Sequence, residues 1–311
     1  MSKFFYYFPN ALTLCIPKVV YRWQATQCLS HLSAEKRSQL SGRIEYYCQH
    51  HNAFNLNLSI LEQQHHSTVQ HFKKTKGWTY FFDLRSVVRQ FPIDCEFAYF
   101  NGDVQTVPPV PAFVKSRPIS QNNHNSVILK LNRVRHYKFL SDAIPYQDKS
   151  DTVVWRGTGK QAHRQVMIQQ FYQHPRCDIG QVKPLKGDPW EKGYLSVDDQ
   201  LKHKFIICIE GNDVATNLKW VMSSNSIAVM SKPKFETWFM EGRLEAGVHY
   251  IEVKEDYSDL LEKMDYYLNN EEEARKIIDN AHKWVAQFQD EKQEKLLELL
   301  VAEKYFRLSG Q

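Results

Sequence analysis

Twice in its second half this chain runs from a short β-branched apolar segment, through glycine, into a helical pattern. The first instance is TVVWRGTGKQAHRQ (152–165), with Thr152–Trp155 as strand and Gln161–Tyr172 as helix. The second is KFIICIEGNDVATNLKWVMSSNSIAVM (204–230): strand Phe205–Ile209, helix Val214–Ser223, then another strand at Ile227–Met230. Such alternation predicts an α/β fold, a parallel sheet covered by helices on both faces. Upstream, Asn55–Ile60, Thr79–Asp83, Glu96–Phe100 and Val127–Leu131 also read as strands. The proline-rich VPPVPAFVKSRPI (107–119) must cross extended. From Asn270 the pattern is helical nearly to the end, with Asn270 as N-cap and Glu271–Glu273 complementing the helix dipole. The least constrained break, Ile144–Lys149, predicts domains at 1–145 and 146–311.

Composition narrows the function classes. At 311 residues the chain is long enough for two cores, and 42% hydrophobic content with a net charge of +5 excludes wholesale disorder. No stretch reaches the roughly 18 uncharged apolar residues of a membrane-spanning helix. The N-terminal MSKFFYYFPNALTLC is interrupted by Pro9 and Asn10 and lacks a small-residue cleavage site, so a secretory signal is not expected; FFYYF either touches lipid or packs in the core, of which the core is the better reading. Six cysteines without a CxxC pair read as reduced thiols in a cytoplasmic protein. The run of Cys48, His50, His51, His65, His66 and His71 invites a metal reading, but its Gln and Ser neighbours fit a polar helical face or loop. Residues 1–155 hold 18 Lys+Arg against 10 Asp+Glu, whereas residues 156–311 hold 22 against 25. A basic first half suits an anionic partner.

Three segments can carry chemistry. The loop Gly157-Thr158-Gly159 ends a strand and opens a helix, which presents backbone N–H groups to a phosphate; Arg164 lies one to two turns on. It fits neither a Walker A loop nor GxGxxG, and a tight strand–helix turn with solvated charges explains it equally well. Gly211 begins a second such turn, with Asn212 or Asp213 as helix cap, and two such ends would converge on the carboxyl edge of one sheet. In FAYFNGDVQTVPPVP (97–111), Asn101-Gly102 signals a turn, of which Asp103 is either a plain member or a catalytic carboxylate.

The run EGNDVATNLKWVMSSNSIAVM, the segment FETWFMEGRLEAGVHYIEVKEDYSDL (235–260) with its His249-Tyr250, and Trp155-Arg156-Gly157 resemble glycosyltransferase family 90, from about Phe97 to Ile278. That resemblance implies a GT-B-like fold, with two Rossmann-like domains facing a cleft and a long C-terminal helix. It also implies a UDP-sugar co-substrate, inversion at the anomeric carbon, and no metal or other cofactor; no DxD triplet occurs in the chain. Carried over by motif, Asp103 is the catalytic base on the first, acceptor-side domain. Arg156, Gly157, Thr158, Gly159, Arg164, His249 and the run Gly211, Asn212, Asp213, Val214, Ala215, Thr216 and Asn217 hold the donor on the second, nucleotide-sugar-binding domain. Asn217 stands where animal members carry arginine, which removes a cation from the diphosphate site.

The expected reaction moves a sugar from UDP to a hydroxyl of a lipopolysaccharide-core or capsule glycan. An anionic glycan or glycolipid would meet Lys115 and Arg117, with Lys130, Arg133 and Arg135 nearby, and the expected location is cytoplasmic with peripheral contact at the inner membrane face. The competing classes are a non-catalytic carbohydrate-binding protein and a nucleic-acid binder. The second gives the paired glycine turns no role.

Overall fold

The computed structural model describes residues 3–311, which form two compact units. One comprises residues up to 136 together with 235–239 and 290–311; the other comprises 137–234 and 240–289. Among the described residues there are eleven strands: β1 (His66–Thr68), β2 (Glu96–Phe100), β3 (Ala112–Val114), β4 (Ser116–Pro118), β5 (Ser126–Ile128), β6 (Ser150–Thr158), β7 (Cys177–Lys183), β8 (His203–Ile207), β9 (Ile227–Met230), β10 (Phe235–Thr237) and β11 (Ile251–Glu252).

In the first unit β1-β2-β3-β5 form a sheet in which only the β1–β2 pairing is antiparallel, and β4 pairs separately with β10. The expected strand at Thr79–Asp83 is instead part of a helix, Trp78–Val88. Its aromatic cluster mimics a strand, but Tyr80, Leu84, Val87 and Val88 recur at helical spacing and are buried. Asn55–Ile60 is not a strand either; Leu58–Ile60 makes a single 3₁₀ turn.

The predicted continuous terminal helix is two helices, Glu271–Ala286 and Glu291–Leu308, because Asp290 stops the first and caps the second by accepting from Lys292 N and Gln293 N. Asn270 does not cap with its side chain; its Nδ2 donates to Tyr266 O at 2.8 Å. The last helix belongs to the first unit and carries Glu294 and Glu298 into its interior. Their counter-ions are Arg43 (2.7 Å) and Lys130 (3.0 Å) for Glu294, and Arg133 (2.6 Å) for Glu298. Lys130 and Arg133 are therefore internal partners of carboxylates and not part of a solvated basic face; a carboxylate this deep persists only when paired. The FFYYF segment also departs from expectation, since of Phe4, Phe5, Tyr6 and Phe8 only Tyr6 is buried, its hydroxyl donating to Asp83 Oδ1 at 2.6 Å.

The second unit is built on a wholly parallel sheet ordered β11-β9-β8-β6-β7. The apolar runs read from sequence fill its core: Val153, Trp155, Ile179, Phe205, Ile207 and Val229 pack with Ile277 and Ile278 of the helix Glu271–Ala286. Burial of each such side chain contributes about 1.5–3 kcal/mol. In order of appearance the strands run 2-1-3-4-5, a doubly wound arrangement whose direction of winding reverses between β6 and β8. Ligands in open sheets of this kind sit beyond the carboxyl ends of the strands at that reversal.

Candidate functional site

The loops at the reversal are the two glycine turns singled out from sequence. β6 ends with a register shift at Gly157/Thr158, and each glycine there is dictated by close packing. A Cβ on Gly157 would lie 2.5 Å from the Trp155 indole, and one on Gly159 would lie 2.2 Å from Gln181 Oε1. Gln181 is fully buried, takes a hydrogen bond from Gln165 Nε2 at 2.9 Å and donates to Pro184 O at 2.8 Å. Sequence reasoning missed this glutamine pair, because no local motif marks an amide that braces a neighbouring strand's loop. Gly159→Ala is expected to displace the loop and cost about 1–3 kcal/mol by overpacking, read as a lower melting temperature.

Gln161 precedes the helix Ala162–Phe171 without a side-chain cap on its first N–H groups. Those groups and the positive end of the dipole remain directed at whatever occupies the crevice. Gln161 Nε2 donates to Asn212 Oδ1 at 3.2 Å, tying the two glycine turns together. Its Oε1 is buried and accepts no hydrogen bond from the described residues.

Arg164 ties the same turns more firmly. Its guanidinium donates to Thr158 O (2.9 Å) at the end of β6, and to Ile209 O (3.0 Å) and Glu210 O (2.9 Å) beyond β8. Gly211 gives this arrangement room, since a Cβ there would come within 3.1 Å of Arg164 Nη2 and press the guanidinium aside by a few tenths of an ångström. Arg164 thus clamps the floor of the crevice through three main-chain carbonyls, whereas the sequence placed it on phosphate oxygens.

The segment after β8 differs from expectation. Residues 211–217 are turns and bends, and the helix is only Leu218–Val221. Asn212 and Asp213 therefore cap no helix. Gly211 N donates to Asp213 O at 2.8 Å, and Asn217 Nδ2 donates to Ile207 O at 2.9 Å, which folds the segment back on the strand. Asp213, Val214 and Ala215 are buried, while Asn212 is exposed. The run was read as helix because its apolar residues also fit that period, but its polar groups bond locally.

Two further donor candidates lie elsewhere. Arg156 turns toward β7, donating to Asp178 O (2.7 Å) and Asp178 Oδ1 (2.7 Å). Burial alone would raise the Asp178 carboxyl, but hydrogen bonds and charges from Arg156 and Lys192 hold it below its usual value. His249 precedes β11 and so enters the sheet at the amino-terminal edge, opposite the glycine turns. Its Nδ1 accepts from Glu245 N at 3.1 Å and its ring meets Trp284 edge-on. Burial lowers its pKa against the opposing Glu245 charge, so the ring is neutral with its proton on Nε2.

Beyond the ends of β6 and β7 lies a cavity of about 430 Å³ lined by Gly159, Lys160, Gln165, Gln181, Pro184, Lys186 and Asp188. It is of small-molecule size, and its two lysines suit an anionic group.

In the first unit Asp103 follows β2 and is exposed, in a turn opened by Gly102 at φ +116°. Lys115, just past β3, is almost wholly buried, and its ammonium meets Asp103 Oδ1 at 2.7 Å. The carboxylate is thereby fixed at the carboxyl edge of the two parallel strands. Arg117 is fully buried, donating from Nε to Glu236 Oε1 (2.6 Å), from Nη1 to Ser126 O (3.2 Å) and from Nη2 to Tyr46 O (2.8 Å). The proposed acceptor-facing pair is thus one cation behind Asp103 and one sealed in the interior. The histidine-rich stretch disperses: His65 stacks on Phe100, His50 packs with Phe54 and His124, and among the described residues no three His, Cys, Asp or Glu side chains group as metal ligands.

The family model for glycosyl transferase family 90 matches residues 129–296, more than half of the chain. The chain belongs to glycosyltransferase family 90. Across 88% of its length it is 42% identical to the O-glucosyltransferase LpsA of Dichelobacter nodosus, covering 85% of that protein. It is also 30% identical over 108 residues to human protein O-glucosyltransferase 3, and 32% identical over 84 residues to zebrafish (Danio rerio) protein O-glucosyltransferase 2, covering 19% and 17% of those proteins. The chain is therefore a glycosyltransferase, with a sugar donor and an acceptor as substrates, and the non-catalytic and nucleic-acid readings fall away. The matched residues include both glycine turns and begin after Asp103.

Proposed function

We propose that this family 90 enzyme transfers glucose from UDP-glucose to a hydroxyl of an anionic glycan or glycolipid, of the lipopolysaccharide-core or capsule kind, inverting the anomeric carbon. The observation that carries the reading is the pair of glycine turns at the reversal of the second unit's sheet, Gly157–Gln161 and Ile209–Asn217, held together by Arg164, with the cavity at Gly159, Lys160 and Gln181 beside the first of them. The glucosyltransferase names of the relatives support glucose as the sugar. The charge of the first unit supports an anionic acceptor, with 20 Lys+Arg against 13 Asp+Glu.

The chemistry follows from the parts. An alcohol is a poor nucleophile at neutral pH and needs a positioned base. Asp103, steered by Lys115, takes the hydroxyl proton as the new bond to C1 forms. The bond from C1 to the diphosphate oxygen breaks in the same displacement, through an oxocarbenium-like state. One carboxylate suffices for a single inversion, whereas retention by a covalent intermediate would need a nucleophile as well. Negative charge then gathers on UDP, where the uncapped N–H groups opening the helix Ala162–Phe171 stand fixed before the reaction begins and the Thr158 hydroxyl and Lys160 are the nearby side-chain donors. Metal independence remains an expectation of the family resemblance.

A panel of nucleotides tests the donor. UDP at a hundredfold excess over its dissociation constant is expected to stabilise the fold by about 2.7 kcal/mol, seen as a raised melting temperature, with ADP, GDP and CMP without effect. An equal response to all four, or to none, would remove the UDP assignment.

A further inference from the structure

The N-terminal helices turn their apolar sides outward. In the helix Lys3–Leu12, Phe4, Phe5, Phe8 and Leu12 form one stripe and are between 53% and 67% exposed, while Tyr6 faces inward. In the next helix, Lys18–Ser30, Val19, Val20 and Trp23 repeat the arrangement, with Trp23 63% exposed and Ala25 buried. Leu14 and Ile16 in the intervening turn are exposed as well. The patch continues beyond the two helices. Phe82 touches Tyr7 (6.4 Å) and Trp78 (5.5 Å), and half-exposed Trp78 lies under Lys74. An isolated surface leucine needs no explanation, but nine exposed large apolar side chains within residues 4–23 mark a binding surface.

We propose that this face, centred on residues 4–23, docks the chain onto an anionic lipid surface. Charge singles out that occupant. The first 34 residues contain no Asp or Glu, while Lys3, Lys18 and Arg22 fall among them. Around the patch, Arg85 reaches Thr13 O, Arg89 lies over the Tyr21 ring at 3.5 Å, Lys18 donates to Val69 O and Gln70 O, and exposed Lys74 lies over Trp78. Asp83, the carboxylate against the helix Lys3–Leu12, is buried and engaged by Tyr6 and Arg133. A predominantly cationic rim, broken by exposed Asp94 beside the Lys18 contact, around Phe, Leu and Trp side chains is the composition of an interfacial anchor: the rings enter the headgroup boundary and the cations meet lipid phosphates. Pairing two copies through the same face would instead oppose like charges. The inference does not depend on the donor or on the base, and it gives the enzyme a means of working on a membrane-held acceptor.

The full-length chain is incubated with vesicles of equal parts phosphatidylethanolamine and phosphatidylglycerol, or of phosphatidylcholine alone, and sedimented. The wild-type chain is expected to pellet with the anionic vesicles and to be released by added salt. The double variant Phe5→Ser/Trp23→Ser should partition about tenfold or more weakly, with an unchanged melting temperature and unchanged activity on a water-soluble acceptor. Failure of the wild-type chain to bind anionic vesicles, or equal binding by the variant, would overturn the proposal. So would a wild-type dimer in sedimentation velocity that the variant converts to monomer, which would make the face a subunit interface.

Discussion

Replacing Asp103 with asparagine is expected to lower glucosyl transfer by about 10²–10⁴-fold, the contribution of a positioned general base, while leaving UDP affinity close to wild type. Asparagine keeps the size of the side chain and an oxygen able to accept from Lys115, so the loop should hold its shape. What it loses is the ability to take a proton. The separation of effects is the informative part: turnover falls, and the melting-temperature shift given by UDP stays. A variant with wild-type turnover would move the base to another residue. Joint loss of turnover and of UDP binding would mean that Asp103 supports the donor instead. Lys115→Met should act in the same direction through the loss of orientation, but the ion pair is half exposed on its acidic side, so its effect falls on catalysis more than on stability.

Arg117→Ala is expected to destabilise the fold by about 3–5 kcal/mol, the cost of stranding a buried carboxylate. Glu236 is nearly inaccessible and would lose its closest cation, and the carbonyls of Ser126 and Tyr46 would each lose a donor. β4 and β10, which Arg117 and Glu236 join at directly paired positions, should loosen together. Denaturant unfolding measures the loss directly. The companion variant Arg117→Met/Glu236→Leu removes both charges and should recover much of it. If Arg117→Ala instead kept full stability and raised only the acceptor KM, this arginine would be a surface contact, contrary to its burial.

The contrast between these two residues shows how far the amino-acid order reaches. Asp103, Lys115 and Arg117 are polar residues near a proline-rich crossing, and nothing local separates the exposed carboxylate from the sealed guanidinium. Glu236, which decides the matter, lies 119 positions away. The same applies to Lys130 and Arg133, whose carboxylates sit on the final helix. Where the determinants are local the reading succeeds. Thr152–Trp155 and Ile227–Met230 lie on β6 and β9, and Phe205–Ile209 overlaps β8 as far as Ile207, because short apolar runs buried on both faces have few alternatives. It fails where one pattern serves two structures. The aromatic cluster at 79–83 fits strand and helix alike until its neighbours are included, and 214–223 fits a helix until the backbone hydrogen bonds of 211–217 are traced. The glycine turns were recognisable as turns that end strands of one parallel sheet, but the reason for their glycines was not. It lies in Trp155, Gln181 and Arg164, three side chains that occupy the space a Cβ would need.

The assignment of Glu291–Leu308 to the first unit has a consequence for biosynthesis. A chain emerging from the ribosome ordinarily completes its leading portion first. Here the first unit cannot close its interior until the helix Glu291–Leu308 is released, because Leu297, Val301 and Tyr305 fill that interior. The later-made sheet has all its strands by residue 252 and its last helix by residue 286. Order of maturation is therefore inverted relative to order of synthesis: the unit with the five-stranded parallel sheet is ready early, and the unit carrying Asp103 waits.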